Sequence, residues 1–94
     1  MNELDGKQFE ALFVAILKLK NKSECRDFLR DLCTLRELTA MAERWQVAQL
    51  INQGKSYREI SKLTGSSTAT ITRVAQWLKH GTGGYRAVLK RTHP

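Results

Sequence analysis

Proline is almost missing from this chain: its single copy, Pro94, is the last residue. Nothing before it removes a backbone N–H or fixes φ, so helices can run wherever the apolar pattern supports them. Long apolar runs are missing too. No stretch approaches the ~18 to 20 apolar residues that a bilayer-crossing helix needs, and no cleavable leader is legible. Cysteine is scarce, and Cys25 and Cys33 stand outside any C-x-x-C spacing and away from a histidine pair. That pattern argues against a zinc site or a disulfide and for buried free thiols. Two histidines, His80 and His93, have no partnered nucleophile or metal-ligand spacing, so neither an enzyme nor a metal site is expected. What is present, 94 residues with 41% hydrophobic and 27% charged content, is ordinary for one small cytoplasmic domain with no membrane partner. So short a chain buries limited apolar area, which raises the expectation that two copies share a core.

Acidic residues are nearly absent from the second half. Residues 1–54 hold eight Lys or Arg and eight Asp or Glu, whereas residues 55–94 hold Lys55, Arg58, Lys62, Arg73, Lys79, Arg86, Lys90 and Arg91 against Glu59 alone. The whole net charge of +7 therefore lies after Gly54. Merely solvating charge is usually mixed in sign, while cations gathered on one element suit the neutralisation of phosphates.

That basic half carries the most specific local pattern. Ser56 and Glu59 stand at capping-box spacing, so a helix should start at Ser56 or Tyr57, with Ile60 and Leu63 on one face and Arg58, Glu59 and Lys62 on the rest. Gly65 can take the left-handed conformation that ends a helix cheaply. Either Ser66 or Ser67 can then cap a second helix, in which Ile71, Val74, Ala75 and Leu78 share one buried stripe. At about 100° per residue the opposite face carries Ala69, Arg73, Gln76 and His80, with Thr72 on its flank. Two short helices joined at a glycine, the second slim and polar at its tip, form the helix-turn-helix unit that enters a major groove. The β-branched alternation of Thr68 to Val74 would also suit a strand, but such a strand has no evident partner in a chain otherwise helical in pattern.

Residues before Gly54 read as scaffold. Phe9, Leu12, Phe13, Ile16 and Leu17 recur at helical spacing within Lys7 to Lys20, and Asn21 and Lys22 break the pattern. A second helix of about ten residues starts at Ser23 as cap and carries Cys25, Phe28, Leu29 and Leu32. Thr34 and Glu37 form another capping box, opening a longer helix through Leu38, Met41, Ala42, Trp45, Ala48, Leu50 and Ile51 to Gly54. Its broad apolar arc suits a helix between the reading unit and a second subunit, or one central to a monomeric core. After Gly81-Thr82-Gly83-Gly84, a short closing helix spans Tyr85 to Leu89, and the last five residues are expected to fray.

Ser67-Thr68-Ala69-Thr70-Ile71-Thr72-Arg73 resembles the recognition-helix signature of the Trp repressor family. Leu32 to Leu38, Met41-Ala42, Val47-Ala48, Gly54 to Tyr57 and Gly81 to Leu89 resemble its YerC/YecD group of small bacterial repressor-like proteins, so the likeness covers nearly the whole chain. The resemblance implies an all-α, Trp-repressor-like helical bundle with a helix-turn-helix, forming an intertwined homodimer. On that plan 1–94 is a single domain, with 1–54 as dimerisation scaffold, 55–80 as helix-turn-helix and 85–90 as closing helix. It further implies a nucleoid-associated regulator that binds double-stranded DNA at a pseudo-palindromic operator, a repressor in the first instance.

By the same likeness Arg58 is the first-helix arginine that reaches DNA, while Thr68, Ala69, Thr70 and Thr72 lie at base edges, directly or through water, with Ser67 at the start of the same tip. Lys55, Lys62 and Lys79 are expected at phosphates and Gln76 on the reading face. Arg73 has two readings: the helical wheel sends it to DNA, whereas the family places it, with a counterpart of Arg44, on the indole of a bound corepressor. The chain departs from the family where Val74 and Trp77 replace a glycine and a serine. A smaller, drier slot is expected, Trp77 either filling part of it or sitting as a core aromatic at the dimer seam. L-tryptophan is thus not expected as effector, an unknown small-molecule corepressor stays open, and no cofactor is implied. The competing reading is a helix-turn-helix adaptor that binds protein without specific DNA recognition.

Overall fold

Four of the helices in this protein begin where a short polar side chain takes up an orphan backbone N–H. The computed structural model describes residues 3–92. It contains α1 (Lys7–Leu17), α2 (Lys22–Leu32), α3 (Leu35–Asn52), α4 (Tyr57–Thr64), α5 (Thr68–His80) and α6 (Gly84–Thr92), with no strand among the described residues. The fold is all-α, and Thr68 to Val74 is helix rather than strand.

Asn21, not Ser23, caps α2: its side chain accepts from the Glu24 N–H at 2.9 Å. The residue read as a breaker is therefore the start signal itself. Correspondingly α1 stops at Leu17 rather than Lys20. At α3 the capping box is complete, the Glu37 N–H donating to Thr34 Oγ1 at 3.1 Å and the Thr34 N–H to Glu37 Oε1 at 2.8 Å. The helix closes with Lys55 N–H to Leu50 C=O at 3.2 Å and Gly54 N–H to Ile51 C=O at 3.0 Å, the paired bonds of a Schellman motif. Ser56 caps α4 through the Glu59 N–H at 3.1 Å, but Glu59 returns to the Ser56 hydroxyl at 3.2 Å rather than to its N–H. Gly65, at φ 75°, ends α4 in the left-handed region. The second serine is settled as Ser67, which accepts from the Thr70 N–H at 3.2 Å.

Contacts divide the chain into two compact units, Met1–Leu38 and Thr39–Pro94. In the second, Val47 and Ala48 of α3, Ile60 of α4, and Ile71 and Val74 of α5 form one buried cluster, flanked by half-buried Trp45, Leu50, Ile51, Leu78 and Tyr85. Ala75 of α5 and Leu89 of α6 are buried as well. The stripe expected on α5 is thus the core-facing stripe. Leu63, expected beside Ile60, is 61% exposed instead, while Thr64 after it is half-buried, so the inward face of α4 at its end runs through Ile60 and Thr64. The α6 helix reaches Thr92, so Lys90 to Thr92 are helical rather than frayed; the rest of the expected frayed tail, residues 93–94, lies outside the described residues.

The first unit is different in kind. Neither α1 nor α2 has a buried residue, and Phe13, Ile16, Leu17, Leu32 and Leu35 are all exposed. Cys25 and Cys33 are free and half-buried rather than buried. No helix of the described residues is long and apolar enough to cross a membrane.

The Thr34 N–H, and after it the Thr34 hydroxyl, hold the Glu37 carboxyl below the usual carboxylate range. A depressed pKa contributes stability that is present above the unfolded value and lost as pH falls through the folded one. Acid should therefore loosen the first turn of α3. A carbon-detected NMR titration should place the Glu37 midpoint below that of the same residue in the urea-unfolded chain; an equal or higher midpoint would contradict the capping role.

Candidate nucleic-acid interface and the adjoining cavity

Because Ile71, Val74 and Ala75 turn inward, the rest of α5 must face out. Thr68, Ala69, Thr72, Arg73, Gln76, Lys79 and His80 are all exposed. The tip is slim, since its first turn carries two threonines and an alanine on a serine cap. Ser67 and Thr70 are not free in the same way. The Ser67 hydroxyl donates to Thr70 Oγ1 at 3.1 Å and Thr70 is half-buried, so both are engaged in holding the helix start.

Two hollows lie along this face. One, between α4 and the start of α5, is lined by Tyr57, Arg58, Ser61, Lys62 and Thr68. A smaller one of about 150 Å³ is lined by Tyr57, Thr72, Ala75, Gln76, Lys79 and His80. Arg58, Lys62 and Thr68 are thus brought together, as are Thr72, Gln76 and Lys79. Lys55 is exposed in the turn before α4 and lines neither hollow. Among the described residues no carboxylate lies within salt-bridge distance of Arg58, Lys62, Arg73 or Lys79, which leaves their charge available to an outside anion.

Arg73 goes elsewhere. It stands with Arg44, Trp45, Val74, Trp77 and Tyr85 around a cavity of about 640 Å³ formed by α3, α5 and α6. Trp45 and Tyr85 stack at 6.4 Å between ring centroids, 16° from parallel, and give one wall a flat aromatic surface. The cation, the aromatic rings and the concavity together suit a planar or anionic small molecule. In the single chain Trp77 is one of the walls of this space. Trp77 is 53% exposed, and the backbone at Gly81 passes close beside it. A Cβ at Gly81 would lie 2.3 Å from the Trp77 carbonyl oxygen and 2.8 Å from its ring.

Residues 7–93 match the family model described as Trp repressor protein. The chain belongs to the Trp repressor family. It is 42% identical over 91 residues to the uncharacterized protein YerC of Bacillus subtilis (strain 168), covering 97% of this chain and 88% of that protein. Its structure superposes on the crystal structure of a TrpR like protein from Eubacterium eligens ATCC 27750 with a TM-score of 0.93 at 40% identity, over 98% of this chain and 95% of that one. A crystal structure from Staphylococcus aureus gives a TM-score of 0.91 at 43% identity, over 96% and 90% of the two chains. Family membership points to a DNA-binding regulator rather than an enzyme, on a Trp-repressor-like helical fold.

Within this family frame, several residues have roles that the sequence pattern hid. Tyr57 borders both hollows. It stands directly after the cap of α4, and only the position of α5 beside it reveals its place. Arg86, one of the cations of the basic half, donates from Nε to the Leu78 C=O at 2.8 Å and from Nη2 to the Lys79 C=O at 3.4 Å. It satisfies orphan carbonyls at the end of α5, where a cation also suits the helix dipole. Replacing Gly81 with alanine should push Trp77 and the last turn of α5 apart. Urea unfolding should register a loss of about 1–3 kcal/mol; a neutral result would mean that the glycine contact is not held in solution.

Proposed function

We propose that this protein is a sequence-specific DNA-binding transcriptional repressor that acts as a homodimer on a pseudo-palindromic operator. The observation that carries the reading is the division of α5: Ile71, Val74 and Ala75 are at most 4% exposed while Thr68, Ala69, Thr72 and Gln76 face solvent beside unpaired cations. A helix anchored on one side and slender on the other is what a major groove admits. Arg58, Thr68, Ala69, Thr72 and Gln76 read base edges, Ser67 and Thr70 set the height of the tip and reach the bases through water, and Lys55, Lys62 and Lys79 neutralise phosphates. Arg73 belongs to the cavity with Arg44.

Support for a second copy comes from α1, α2 and the start of α3, which leave Phe13, Ile16, Leu17, Leu32 and Leu35 exposed around no buried residue. A scaffold over residues 1–54 that buries those side chains against its twin makes 1–94 one domain of a paired molecule. Two reading units then meet successive grooves about 34–36 Å apart. Such a protein works on the nucleoid, in the cytoplasm.

The cavity is the effector site in this reading, with Arg44, Arg73, Val74 and Trp77 around it. Trp77 stands where the family pattern has a serine and brings no hydroxyl to hold an amino group, so the effector is a small molecule other than L-tryptophan. Calorimetric titration with L-tryptophan should give no saturable heat at micromolar concentration, and saturation there would reject the exclusion.

Selection of bound duplexes from a random pool should enrich a half-site repeated with one-turn spacing, and its affinity should fall steeply with salt. Arg58→Ala or Thr72→Ala should cost about 1–3 kcal/mol on the selected site and relax base preference. Lys62→Ala should weaken all duplexes alike and reduce the salt slope by roughly one phosphate. Absence of enrichment together with capture of a protein partner would favour an adaptor instead.

A further inference from the structure

Among the described residues Ser66 is the one polar residue in the buried set, at 2% exposure, and its hydroxyl donates to Glu43 Oε1 on α3 at 2.7 Å. It follows Gly65 directly, in the turn between α4 and α5. Its backbone is held as well. The Ser66 N–H donates to Thr64 Oγ1 at 3.0 Å, its C=O accepts from Ser61 Oγ at 3.0 Å, and the Thr64 hydroxyl donates to the Ile60 C=O at 2.7 Å. Ser61 and Thr64 belong to α4, so those bonds tie the turn only to the helix it leaves. Glu43 is the member of this network that lies outside the helix-turn-helix. Its carboxylate is a polar fastening between the turn and α3, the helix that also supplies Val47 and Ala48 to the core.

Charge alone would make a carboxylate a cost near an element that meets phosphates. Geometry gives it a use. The angle between the hollow at Arg58 and Lys62 and the tip at Thr68, Ala69 and Thr72 is set by three residues of turn. A turn free to shift by an ångström blurs contact with base edges while leaving attraction to the backbone of DNA intact. We propose that Glu43 is a positioning residue for base readout: through Ser66 it fixes the helix-turn-helix turn against α3, and its contribution to recognition is geometric rather than electrostatic. This rests on the DNA-reading function proposed above.

Three variants of the full chain separate the possibilities: Glu43→Ala removes acceptor and charge, Glu43→Gln removes the charge but keeps an acceptor oxygen, and Ser66→Ala removes the donor. Each is measured on the selected duplex and on a scrambled duplex of equal length at one salt concentration. Loss of a buried hydrogen bond to a charged group should lower the selected-to-scrambled affinity ratio about tenfold in Glu43→Ala and Ser66→Ala. The double variant should lose little more than either single one, as expected for one shared contact. Glu43→Gln should restore the ratio to within about twofold, since its oxygen still accepts from Ser66. Tighter binding of both duplexes by Glu43→Ala and Glu43→Gln alike would make charge the operative property and overturn the proposal.

A readout without DNA guards against a variant that only unfolds. In free protein the amides of residues 66 to 70 should exchange faster in Glu43→Ala while those at Val47 and Ala48 stay protected; unchanged exchange at the turn would overturn the fastening. Failure of the unaltered protein to enrich any duplex would overturn the function, and the proposal with it. An intact base preference in Glu43→Ala would overturn the proposal alone.

Discussion

Burial of Ile60 and Ile71 against Val47, Ala48 and Val74 is the contact on which the second unit depends. Both isoleucines are at or below 1% exposure, and each belongs to a different helix of the helix-turn-helix. The α4 helix has only eight residues, too few to be stable alone in water. It exists because one face is pressed onto its neighbours. The same packing fixes the rotation of α5 about its axis and so decides which residues face solvent. Thr72 and Gln76 are outward because Ile71 and Ala75, one position before each, are inward.

From this constraint the two sides of α5 acquire separate tasks. Its free face, beside α4, carries short polar side chains and unpaired cations. Its flank toward α3 and α6 carries Arg73 and Trp77 into the cavity. Successive residues of α3 divide in a comparable way: Glu43 reaches the turn through Ser66, while Arg44 and Trp45 line the cavity. Adjacent residues on one rigid helix therefore touch both the reading unit and the concavity. That arrangement is the physical minimum for an occupant of the cavity to bear on the angle of the tip.

Much of this is legible in the sequence alone, because the signals are local. The Thr34–Glu37 box, the glycine end of α4, the serine cap and the 71, 74, 75, 78 stripe each follow from spacing within a few residues, and each is present. Errors came where an outcome depended on something distant or on competing local chemistry. Asn21 interrupts an apolar pattern and looked like a break, yet its short amide oxygen makes it the cap of α2. Leu63 has the spacing for burial beside Ile60, but Thr64 takes the inward position at the end of α4. Arg86 looked like one more free cation because only the fold brings the carbonyls of Leu78 and Lys79 within its reach. The Ser66–Glu43 bond spans 23 positions, and neither residue type announces the other. Likewise the close approach of Gly81 to Trp77 is a matter of backbone path, which no periodicity encodes. The apolar residues of α1 were visible as a stripe, but their exposure in the single chain was not.

Both tryptophans of the chain, Trp45 and Trp77, stand on the wall of the same cavity, one stacked on Tyr85 and the other half open to water. All indole emission of the molecule therefore originates beside that space, from one shielded and one hydrated ring. Intrinsic fluorescence is a built-in optical probe of whatever enters it, with no label required and no background from elsewhere in the sequence.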